Sequence, residues 1–566
     1  MKYEPVIGLE IHVQLKTRTK MFCNSKNDPD EKHPNVNVCP VCVGHPGTLP
    51  TINLEAVKKT ILLGLALDCK IADYTFFERK NYFYPDLPKG YQISQYQAPL
   101  CEGGKLDISN PSTNAQGSRR IRIRRIHLEE DTGKLLHIEE VPTRKASRGS
   151  SISQSEIGRK YSLIDFNRAG VPLLELVTEP DLKSGEEVRK FGEELQLILR
   201  YLDISDADMQ KGQMRIEVNI SLREKLTSQN QKLGSKVELK NINSFRFAEQ
   251  AVDYEIERQT DLLKADKKVI QETRGWDEVK QKTFSQRIKE EAQDYRYFPE
   301  PDLPPIRIAN GRASPKQSEG GPPIKISSKH QVESSKGNED INLEEIKAML
   351  PELPQQRRER FKEQYKLPER DIEVLTVNKQ LGDYFEKVVS ELRVWDKLSH
   401  LKKPPVEHEE KLVKLTANYL ITELAKLLYE RGRTLSVLNS HAERDTGLEE
   451  MEHLKINPEN FAEFIVRIYH QEVSSSGAQV LLKEMFETGE DPSVIIENKD
   501  LAQVSDIEEI AAAAREVIIE NPRPTEDYKK GKKEVLQFLI GQVMRKTKGK
   551  ANPQIVKQIL ENEFIR

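Results

Sequence analysis

A glutamate and a histidine lie two residues apart in an alternating stretch near the amino terminus. Residues 6–15 place Ile7, Leu9, Ile11, Val13 and Leu15 on one side, and Gly8, Glu10, His12 and Gln14 on the other. This period of two predicts a β-strand with one packed face and one open face. Glu10 and His12 then project from the open face roughly 7 Å apart, which suits a shared metal ion or ligand. The alternative is an ordinary solvated strand face.

Further acidic residues are candidates for the same site. The basic, alternating residues 119–128 run directly into Glu129, Glu130 and Asp131. Because neighbouring residues of a strand point to opposite faces, at most one of the two glutamates joins a given site. Glu175 lies among apolar strand residues, and a buried carboxylate without a partner is costly. We therefore expect Glu175 to face a metal ion, a cation or a polar cleft.

Two later strands repeat this design. Residues 215–223 and 236–244 place aliphatic residues on one face and Glu, Arg, Lys or Asn on the other. They predict a mixed or antiparallel sheet with one face closed by helices and one polar face. A face that combines carboxylates with cations favours binding of Mg²⁺ and phosphate, so it predicts a catalytic rather than a structural sheet.

Three cysteines form part of a candidate zinc site. Cys39 and Cys42 have the C-x2-C spacing of structural zinc sites, and Cys23 is a candidate for the third ligand. A tetrahedral site needs four ligands, and Ser25 stands where a second upstream cysteine would complete the set. The candidate substitutes are Asp28, His33 and His45. The alternative is a loop that folds without zinc.

The bulk composition excludes several classes of protein. A chain of 566 residues predicts roughly three or four domains, and its net charge of -3 confines any nucleic-acid binding to local patches. No apolar run approaches the ~18 residues that span a bilayer, and the early start of the first strand leads us to expect no signal peptide. Five cysteines are too few for a disulfide framework, so we expect a cytoplasmic protein.

The second half of the chain is expected to be helical. Residues 410–430 carry an apolar stripe at helical spacing, with Gly432 as the expected end of the helix. Near the carboxyl terminus, an apolar helix between two basic clusters favours contact with a phosphate backbone. The tRNA-binding candidates are Lys529, Lys530, Lys532, Lys533, Lys546, Lys548 and Lys550. The alternative is that these lysines are solvated helix ends.

Several catalytic motifs are missing from the sequence. It contains no P-loop, no G-x-S-x-G nucleophile elbow and no cysteine in a convincing nucleophile context. The serine run at 474–476 is expected to be a turn or a helix cap. The chain is therefore not equipped to release ammonia from an amide donor.

Seven motifs resemble the B-subunit family of the aspartyl/glutamyl-tRNA amidotransferases. They are VIGLEIHV at 6–13, CPVC at 39–42, KNYFYPD at 80–86, HLEED at 127–131, ELKNINSF at 238–245, DYRYFPEPD at 294–302 and GKANP at 549–553. The resemblance spans nearly the whole chain. It implies a glutamine-dependent, ATP-hydrolysing carbon–nitrogen ligase. ATP phosphorylates the side-chain carboxylate of mischarged Glu-tRNA(Gln) or Asp-tRNA(Asn), and ammonia then forms the amide.

The resemblance also implies site residues and partners. The family's Mg²⁺ and catalytic positions match Glu10, His12, Glu130 and Glu175, which favours Glu130 over Glu129. The residues expected to contact ATP or substrate are Lys80, Tyr82, Arg215, Lys240 and Asn241. Ammonia comes from a separate amidase (A) subunit, and a small C subunit wraps around both. Many members have a four-cysteine zinc cluster, which Ser25 interrupts here.

The expected fold is an α+β N-terminal cradle akin to glutamine synthetase, followed by all-α helical and tail domains. The expected domains are a catalytic cradle at 1–305 with an insertion near 140–160, a flexible insertion or linker at 306–340, a helical domain at 341–453 and a tRNA-binding tail at 454–566. Two other functions are open: a non-catalytic tRNA-binding scaffold, and a carboxylate–amine ligase for a small molecule. A scaffold needs no divalent metal ion.

Overall fold

The computed structural model describes residues 3–108, 119–138, 161–224, 233–288, 295–309, 341–398, 406–438, 451, 453–502, 507–547 and 549–565. The chain divides into two compact units, Met1–Leu353 and Pro354–Arg566. All described strands belong to the first unit, and the second is helical. The predicted order of an α+β domain followed by an all-α region is therefore confirmed. The predicted insertion near 140–160 and positions 310–340 of the predicted linker lie outside the described residues.

The strands of the first unit form one large sheet and three small ones. In chain order they are β1 (Tyr3–Gln14), β2 (Lys70–Ile71), β3 (Tyr74–Thr75), β4 (Glu78–Asn81), β5 (Tyr91–Ser94), β6 (Cys101–Glu102), β7 (Lys105–Asp107), β8 (Arg120–Glu130), β9 (Lys134–Ile138), β10 (Tyr161–Asp165), β11 (Pro172–Thr178), β12 (Met214–Glu224), β13 (Val237–Ile242), β14 (Glu272–Asp277), β15 (Lys282–Ile288), β16 (Arg296–Pro299), β17 (Ile306–Ala309) and β18 (Ile341–Asn342).

Strand β1 lies inside the large sheet, whose order is β15-β14-β13-β12-β1-β11-β8-β6-β2, with β7 also paired to β8. The neighbours pair antiparallel except β13 and β14, which pair parallel, so the sheet is mixed as predicted. Ile7, Leu9, Ile11 and Val13 are at most 1% exposed. The predicted packed face of this strand is therefore confirmed.

Helices cover the packed face of the large sheet. They are α1 (Leu54–Ala66), α2 (Gly185–Tyr201) and α3 (Phe245–Lys264), and the short helix α4 (Leu343–Ala348) packs against α1. The side chains of Asn53, Ser184 and Ser244 cap the first three by accepting backbone N–H bonds of the first turn. Apolar residues of α1, α2 and α3 share one core with the sheet, which leaves the opposite face of β1 for polar side chains.

The first unit extends beyond the predicted boundary at 341. Strand β17 pairs parallel with β18, and Ile341 and Ile346 are buried in the core of this unit. These contacts place residues 341–353 with the sheet rather than with the helices that follow. Burial of Ile341 and Ile346 attaches this short segment to the first unit, because removing large apolar side chains from water is favourable.

The second unit consists of helices around two apolar clusters. The helices are Pro354–Tyr365, Glu369–Val377, Lys379–Leu398, Val406–Tyr419, Ala425–Leu438, Pro458–Tyr469, Ser475–Thr488, Pro492–Asn498, Ile507–Glu520, Pro522–Lys529, Val535–Lys546 and Pro553–Ile565, with a π-helical turn at Leu420–Leu424. One cluster runs from Phe361 to Ile495 and the other from Ile510 to Leu560. The clusters therefore separate after Ile495 rather than at 454. Among the described helices, none is long and apolar enough to cross a bilayer.

Candidate metal and phosphate site

Three strands bring two histidines and a glutamate into one row. His12 of β1 is opposite Glu175 of β11, which is opposite His127 of β8. The Oε2 atom of Glu175 lies 3.5 Å from Nε2 of His12 and 3.6 Å from Nε2 of His127. This carboxylate therefore stands between two imidazoles on the open face of the sheet.

Two more glutamates reach the same row. Nε2 of His12 lies 4.0 Å from Oε1 of Glu10 and 3.7 Å from Oε1 of Glu129. The possible ligand atoms form two groups, each within 4.8 Å, and both groups include Glu175. They are Glu10, His12 and Glu175, and His127, Glu129 and Glu175. Ligand bonds to Mg²⁺ are about 2.1 Å long. The side chains of either group therefore need to move only slightly towards one another to bind a divalent ion.

Glu130 is not part of this cluster, which corrects the expectation that favoured it over Glu129. Its carboxylate accepts hydrogen bonds from Lys89 Nζ, at 2.6 Å, and from the backbone N–H of Ile93, at 2.9 Å. The physical reason is the alternation of a strand, because Glu129 shares a face with His127 and Glu130 does not.

The sequence contains a signal for this assignment. The buried apolar positions of β8 are Ile121 and Ile123, then Ile126 and Leu128. This change from odd to even numbers marks an extra residue, and the pairing of β8 with β11 is irregular at this point. Alternation counted from Leu128 places Glu129 on the open face.

Burial and mutual contact set the charges of the cluster. Burial lowers the pKa of His12, but the contact with Glu175 and the charge of Glu129 outweigh it and raise this pKa to about 9. Burial lowers the pKa of His127 to about 4 and raises that of Glu129 to about 7. Burial also raises the pKa of Glu175, but the charges of His127, His12 and Lys80 hold it well below its usual value.

Two cations face the carboxylates. Burial lowers the pKa of Lys80, but the charge of Glu129 together with those of Tyr297 and Glu175 outweighs it and raises this pKa. Nη2 of Arg125 lies 3.3 Å from Oε1 of Glu175. Arg125 escaped the sequence analysis, although it is two residues before His127 and shares its face. Ammonium and guanidinium groups are the side chains that suit the negative charge of a phosphate.

The other predicted substrate-binding residues surround this cluster. Arg215 Nη2 lies 3.0 Å from Oδ1 of Asp131, and Lys240 Nζ lies 2.6 Å from Oε2 of Glu217. Asn241 follows in a left-handed conformation, with φ of 58°, where the pairing of β12 with β13 shifts register. Arg215 and Lys240, which were predicted to contact ATP or substrate, therefore each have an acidic partner in this structure.

Aromatic rings line the approach to the cations. Lys80 Nζ lies 5.0 Å from the ring centroid of Tyr295 and 6.0 Å from that of Tyr82. Tyr96 and Tyr297 stack with centroids 4.8 Å apart, and Arg125 lies 5.3 Å from the ring centroid of Tyr96. Cations against aromatic faces suit a nucleotide, because its phosphates and its base use the two kinds of group.

Comparison with known proteins identifies the family. The profile of the GatB/GatE catalytic domain matches residues 5–313, and that of the GatB domain matches residues 406–564. The chain is 42% identical over 564 residues to the B subunit of the aspartyl/glutamyl-tRNA(Asn/Gln) amidotransferase of Caldicellulosiruptor saccharolyticus, covering 100% of this chain and 99% of that protein. It is 43% identical over 562 residues to the corresponding protein of Persephonella marina, with 99% of each covered. The chain belongs to the B-subunit family of these amidotransferases.

The two family profiles divide the candidate residues between them. The catalytic profile of the B-subunit family contains the whole histidine–glutamate cluster, both facing cations and the three cysteines. The second profile contains the basic residues near the carboxyl terminus. The chemistry-bearing residues of the first unit therefore fall within the catalytic domain of the B-subunit family.

The three cysteines of this B-subunit homologue come together. Sγ atoms of Cys23, Cys39 and Cys42 lie within 4.8 Å of one another, and no fourth His, Cys, Asp or Glu joins them in the described part of the chain. Ser25 Oγ lies 4.0 Å from Sγ of Cys42. The geometry therefore fits three zinc ligands, with a hydroxyl near the fourth position.

A buried lysine stands beside these thiols. Lys20 is fully buried, and its Nζ donates to the carbonyl of Ala169 at 2.7 Å and lies 3.8 Å from Sγ of Cys42. Hydrogen bonding by Cys23 and the charge of Lys20 lower the pKa of Cys42 to about 4. The ammonium of Lys20 and the thiolate of Cys42 therefore neutralise each other in the protein interior.

The C-terminal lysines differ in their surroundings. Lys530 pairs with Glu526 at 3.3 Å, and Lys532 pairs with Asp527 at 3.1 Å. Lys546 pairs with Glu516 and Glu520, and Lys550 with Asp500. Lys529 and Lys533 are exposed and have no ion-pair partner among the described residues, and Lys548 lies outside them. Among the described residues, fewer lysines are therefore available to a phosphate backbone than the sequence implies.

Proposed function

We propose that this chain amidates the glutamyl or aspartyl group of mischarged tRNA in an ATP-dependent reaction. The side-chain carboxylate of Glu-tRNA(Gln) or Asp-tRNA(Asn) attacks the γ-phosphorus of ATP, and ADP leaves. Ammonia then adds to the carbonyl carbon of the acyl phosphate, inorganic phosphate leaves, and a proton is released. The products are Gln-tRNA(Gln) or Asn-tRNA(Asn), which makes the chain a carbon–nitrogen ligase.

The observation that carries this proposal is the convergence of Glu10, His12 and Glu175 on the open face of the sheet. Carboxylate oxygens are the ligands that Mg²⁺ prefers, and phosphoryl transfer depends mainly on positioning and on charge neutralisation. When bound by these three residues, Mg²⁺ supplies positive charge to the phosphates of ATP. The names of the full-length relatives support the same reaction.

The chain's own cations complete the positioning. Lys80 and Arg125 interact with the carboxylates of the cluster, and their charge reduces the repulsion between the attacking carboxylate and the phosphate. Arg215 and Lys240 lie further along the same face, each beside a carboxylate. We assign Tyr82 and Asn241 to the edge of the substrate site.

Ammonia comes from a partner in this proposal. The relatives are named as the B subunit of an amidotransferase, and the sequence offers no nucleophile for releasing ammonia. Ser474 serves as a helix cap by accepting the N–H of Gly477 at 3.2 Å. We propose that an amidase (A) subunit supplies ammonia, that a small C subunit joins the two, and that the exposed lysines near the carboxyl terminus hold the tRNA.

The test is amidation of mischarged tRNA with ammonium chloride and ATP. We expect the complex to form Gln-tRNA or Asn-tRNA with free ammonia, and to form it from glutamine only when the amidase partner is present. Glu10→Gln removes a charged metal ligand while keeping the size of the side chain. We expect it to reduce amidation by at least about 100-fold and to leave tRNA affinity unchanged.

Glu4→Gln is the matched control, because it makes the same change on the same strand. Glu4 pairs with Lys183 and Arg223, away from the histidine–glutamate row, so this variant keeps its activity. Full amidation by Glu10→Gln contradicts the assignment of this site. Binding of tRNA without any ATP-dependent amidation, in the wild-type complex, supports a scaffold instead.

A further inference from the structure

We propose that Cys23 and Cys42 are a redox-active pair, which a hydroperoxide converts into a disulfide and a thiol reductant restores. As zinc ligands the thiols of this loop need a fourth partner, and Ser25 stands in its place. Reversible oxidation needs only two sulfurs, and it does not depend on the proposed function. Three features support it: the spacing of the sulfurs, the polar groups around Cys42, and a cavity that both thiols line.

The sulfurs are close enough to bond after a small movement. The Sγ atoms of Cys23, Cys39 and Cys42 lie within 4.8 Å of one another, and all three thiols are free in this structure. An S–S bond is about 2.0 Å long, so two of these sulfurs must approach by less than about 3 Å. A change of one side-chain rotamer moves a thiol sulfur by a comparable distance. The bond therefore requires little rearrangement of the backbone.

The groups around Cys42 favour its attack on an oxidant. The ammonium of Lys20, which is fully buried, lies 3.8 Å from Sγ of Cys42. The backbone N–H of Cys39 donates to the same sulfur at 3.1 Å. Reactive cysteines are found in electropositive surroundings of this kind, because these favour the nucleophilic form of the sulfur. Cys42 is therefore the attacking residue of the pair.

A cavity gives small oxidants access to both sulfurs and selects Cys23 as the partner. Its volume is about 240 Å³, and its wall includes Cys23 and Cys42 together with the exposed His45. A water molecule takes about 30 Å³ in the liquid, so hydrogen peroxide fits in this space. The two thiols are only 7% and 4% exposed. Small hydroperoxides therefore reach them more readily than bulky reagents do.

The reaction is balanced with a hydroperoxide as the oxidant. Sγ of Cys42 attacks one peroxide oxygen, the O–O bond breaks, and the other oxygen leaves as an alcohol or as water after taking the thiol proton. This step leaves a sulfenic acid on Cys42. Sγ of Cys23 then attacks that sulfur, the S–O bond breaks, and water leaves with the second thiol proton. Two thiols lose two electrons, and the hydroperoxide gains them.

The proposed bond lies in the catalytic domain, beside the histidine–glutamate cluster. Glu130 also lines the cavity, and its neighbour Glu129 belongs to the cluster. The bond draws the loop that carries Cys42 towards Cys23, so oxidation reshapes a wall of this cavity.

The test is treatment of the full chain with hydrogen peroxide in the presence of a chelator, which keeps metal ions off the thiols. Free thiols are counted under denaturing conditions, and linked peptides are identified by mass spectrometry. We expect two of the five thiols to be lost and the peptides of Cys23 and Cys42 to be linked. Dithiothreitol should then restore all five thiols.

Two variants sharpen this test. Cys42→Ser removes the attacking sulfur, so we expect no linked peptides after the same treatment. Cys69→Ser is the matched control, because it changes another buried cysteine. The thiol of Cys69 donates to the carbonyl of Gly103 at 3.0 Å, and a serine hydroxyl keeps such a bond. This variant should form the disulfide as the wild type does.

The other outcomes each count against the proposal. Five free thiols after treatment overturn it and leave the proposed function standing, because amidation is measured separately. A bond between Cys39 and Cys42 overturns the assignment of Cys23. Oxidation of Cys42 to a sulfinic acid, without any disulfide, overturns the pair. The peptide map of the wild-type chain decides between these outcomes even if Cys42→Ser does not fold.

Discussion

Glu129 and Glu130 are consecutive residues of one strand, and their carboxylates lie in two separate networks. Oε1 of Glu129 is 3.7 Å from Nε2 of His12, while Oε2 of Glu130 accepts a 2.6 Å hydrogen bond from Nζ of Lys89. The side chains of Lys89 and Glu130 are 9% and 4% exposed. The same substitution at the two positions therefore tests the histidine–glutamate cluster in one case and the buried Lys89–Glu130 ion pair in the other.

We expect Glu129→Gln to weaken divalent-ion binding by about 10–100-fold and Glu130→Gln to leave it unchanged. Glu129 belongs to a group of ligand atoms, whereas Glu130 contacts Lys89 and the backbone of Ile93. Calorimetric titration of each variant with Mn²⁺ measures the difference.

Glu130→Gln is expected to lower stability instead. The change leaves the buried ammonium of Lys89 facing a neutral amide, which costs about 1–3 kcal/mol of the free energy of unfolding. Urea unfolding measures this cost. An equal loss of metal affinity in both variants would indicate that Glu130 is also a metal ligand.

His12 makes metal binding depend on pH. Contact with Glu175 and the charge of Glu129 raise its pKa to about 9 against the effect of burial, and only the neutral ring binds a metal. The apparent affinity for Mn²⁺ should therefore rise by roughly tenfold per pH unit from pH 7 to 9, and then level off. Titrations across this range in two buffers, which also report proton release, measure the effect. A constant affinity from pH 7 to 9 would contradict it.

The raised pKa of His12 has the opposite effect on the stability of the metal-free protein, which should fall as the pH rises. The folded-state pKa of His12 is above the ordinary value of 6.5, so its protonation stabilises the metal-free protein. This contribution is complete below about pH 6.5 and is lost as the pH rises through about 9. Urea unfolding in the presence of a chelator, at pH 6 and at pH 9.5, should therefore show a less stable protein at the higher pH.

Local patterns in the sequence were enough to predict much of the fold. Alternation fixed the packed face of β1, and Asn53, Ser184 and Ser244 each cap the helix that follows them. Each of these features depends on residues close together in the chain, so the sequence displays it directly. The helix Pro458–Tyr469 begins with the same local signal, because the side chain of Asn457 accepts the N–H of Asn460.

Features that depend on distant residues were not predictable. The partner of Arg215 is Asp131, and the buried Lys20 contacts the carbonyl of Ala169; no local pattern reports such pairs. The prediction that a helix ends at Gly432 is wrong, because the helix Ala425–Leu438 continues through it. A single glycine inside a helix costs only about 1 kcal/mol, so it does not by itself end the helix.

Ser25→Cys should complete a zinc site. The hydroxyl of Ser25 lies 4.0 Å from Sγ of Cys42, beside two further thiols, so a thiolate here supplies the fourth ligand of a tetrahedron. We expect the variant to bind one Zn²⁺ per chain more tightly than the wild type. Metal analysis and the charge-transfer spectrum of the Co²⁺ form measure it. Ser25→Ala is the control, and equal zinc affinity in all three proteins would contradict the prediction.

The lysines of the C-terminal helices should contribute unequally to tRNA binding. Lys529 and Lys533 are exposed without an ion-pair partner among the described residues, whereas Lys530 and Lys532 face Glu526 and Asp527. A lysine that must leave a carboxylate to reach a phosphate gains less from the exchange. Each phosphate contact contributes about 0.7–0.9 to the slope of log affinity against log salt.

We therefore expect the double substitution of Lys529 and Lys533 by alanine to reduce that slope by about 1.4–1.8, and to weaken tRNA binding at low salt. The matched double substitution of Lys530 and Lys532 removes the same charge from the same region and should have a smaller effect. Fluorescence anisotropy with labelled tRNA over a series of KCl concentrations measures both. Unchanged affinity in the first variant would show that these lysines are solvated helix ends, and equal effects would show that the ion pairs do not compete with phosphate.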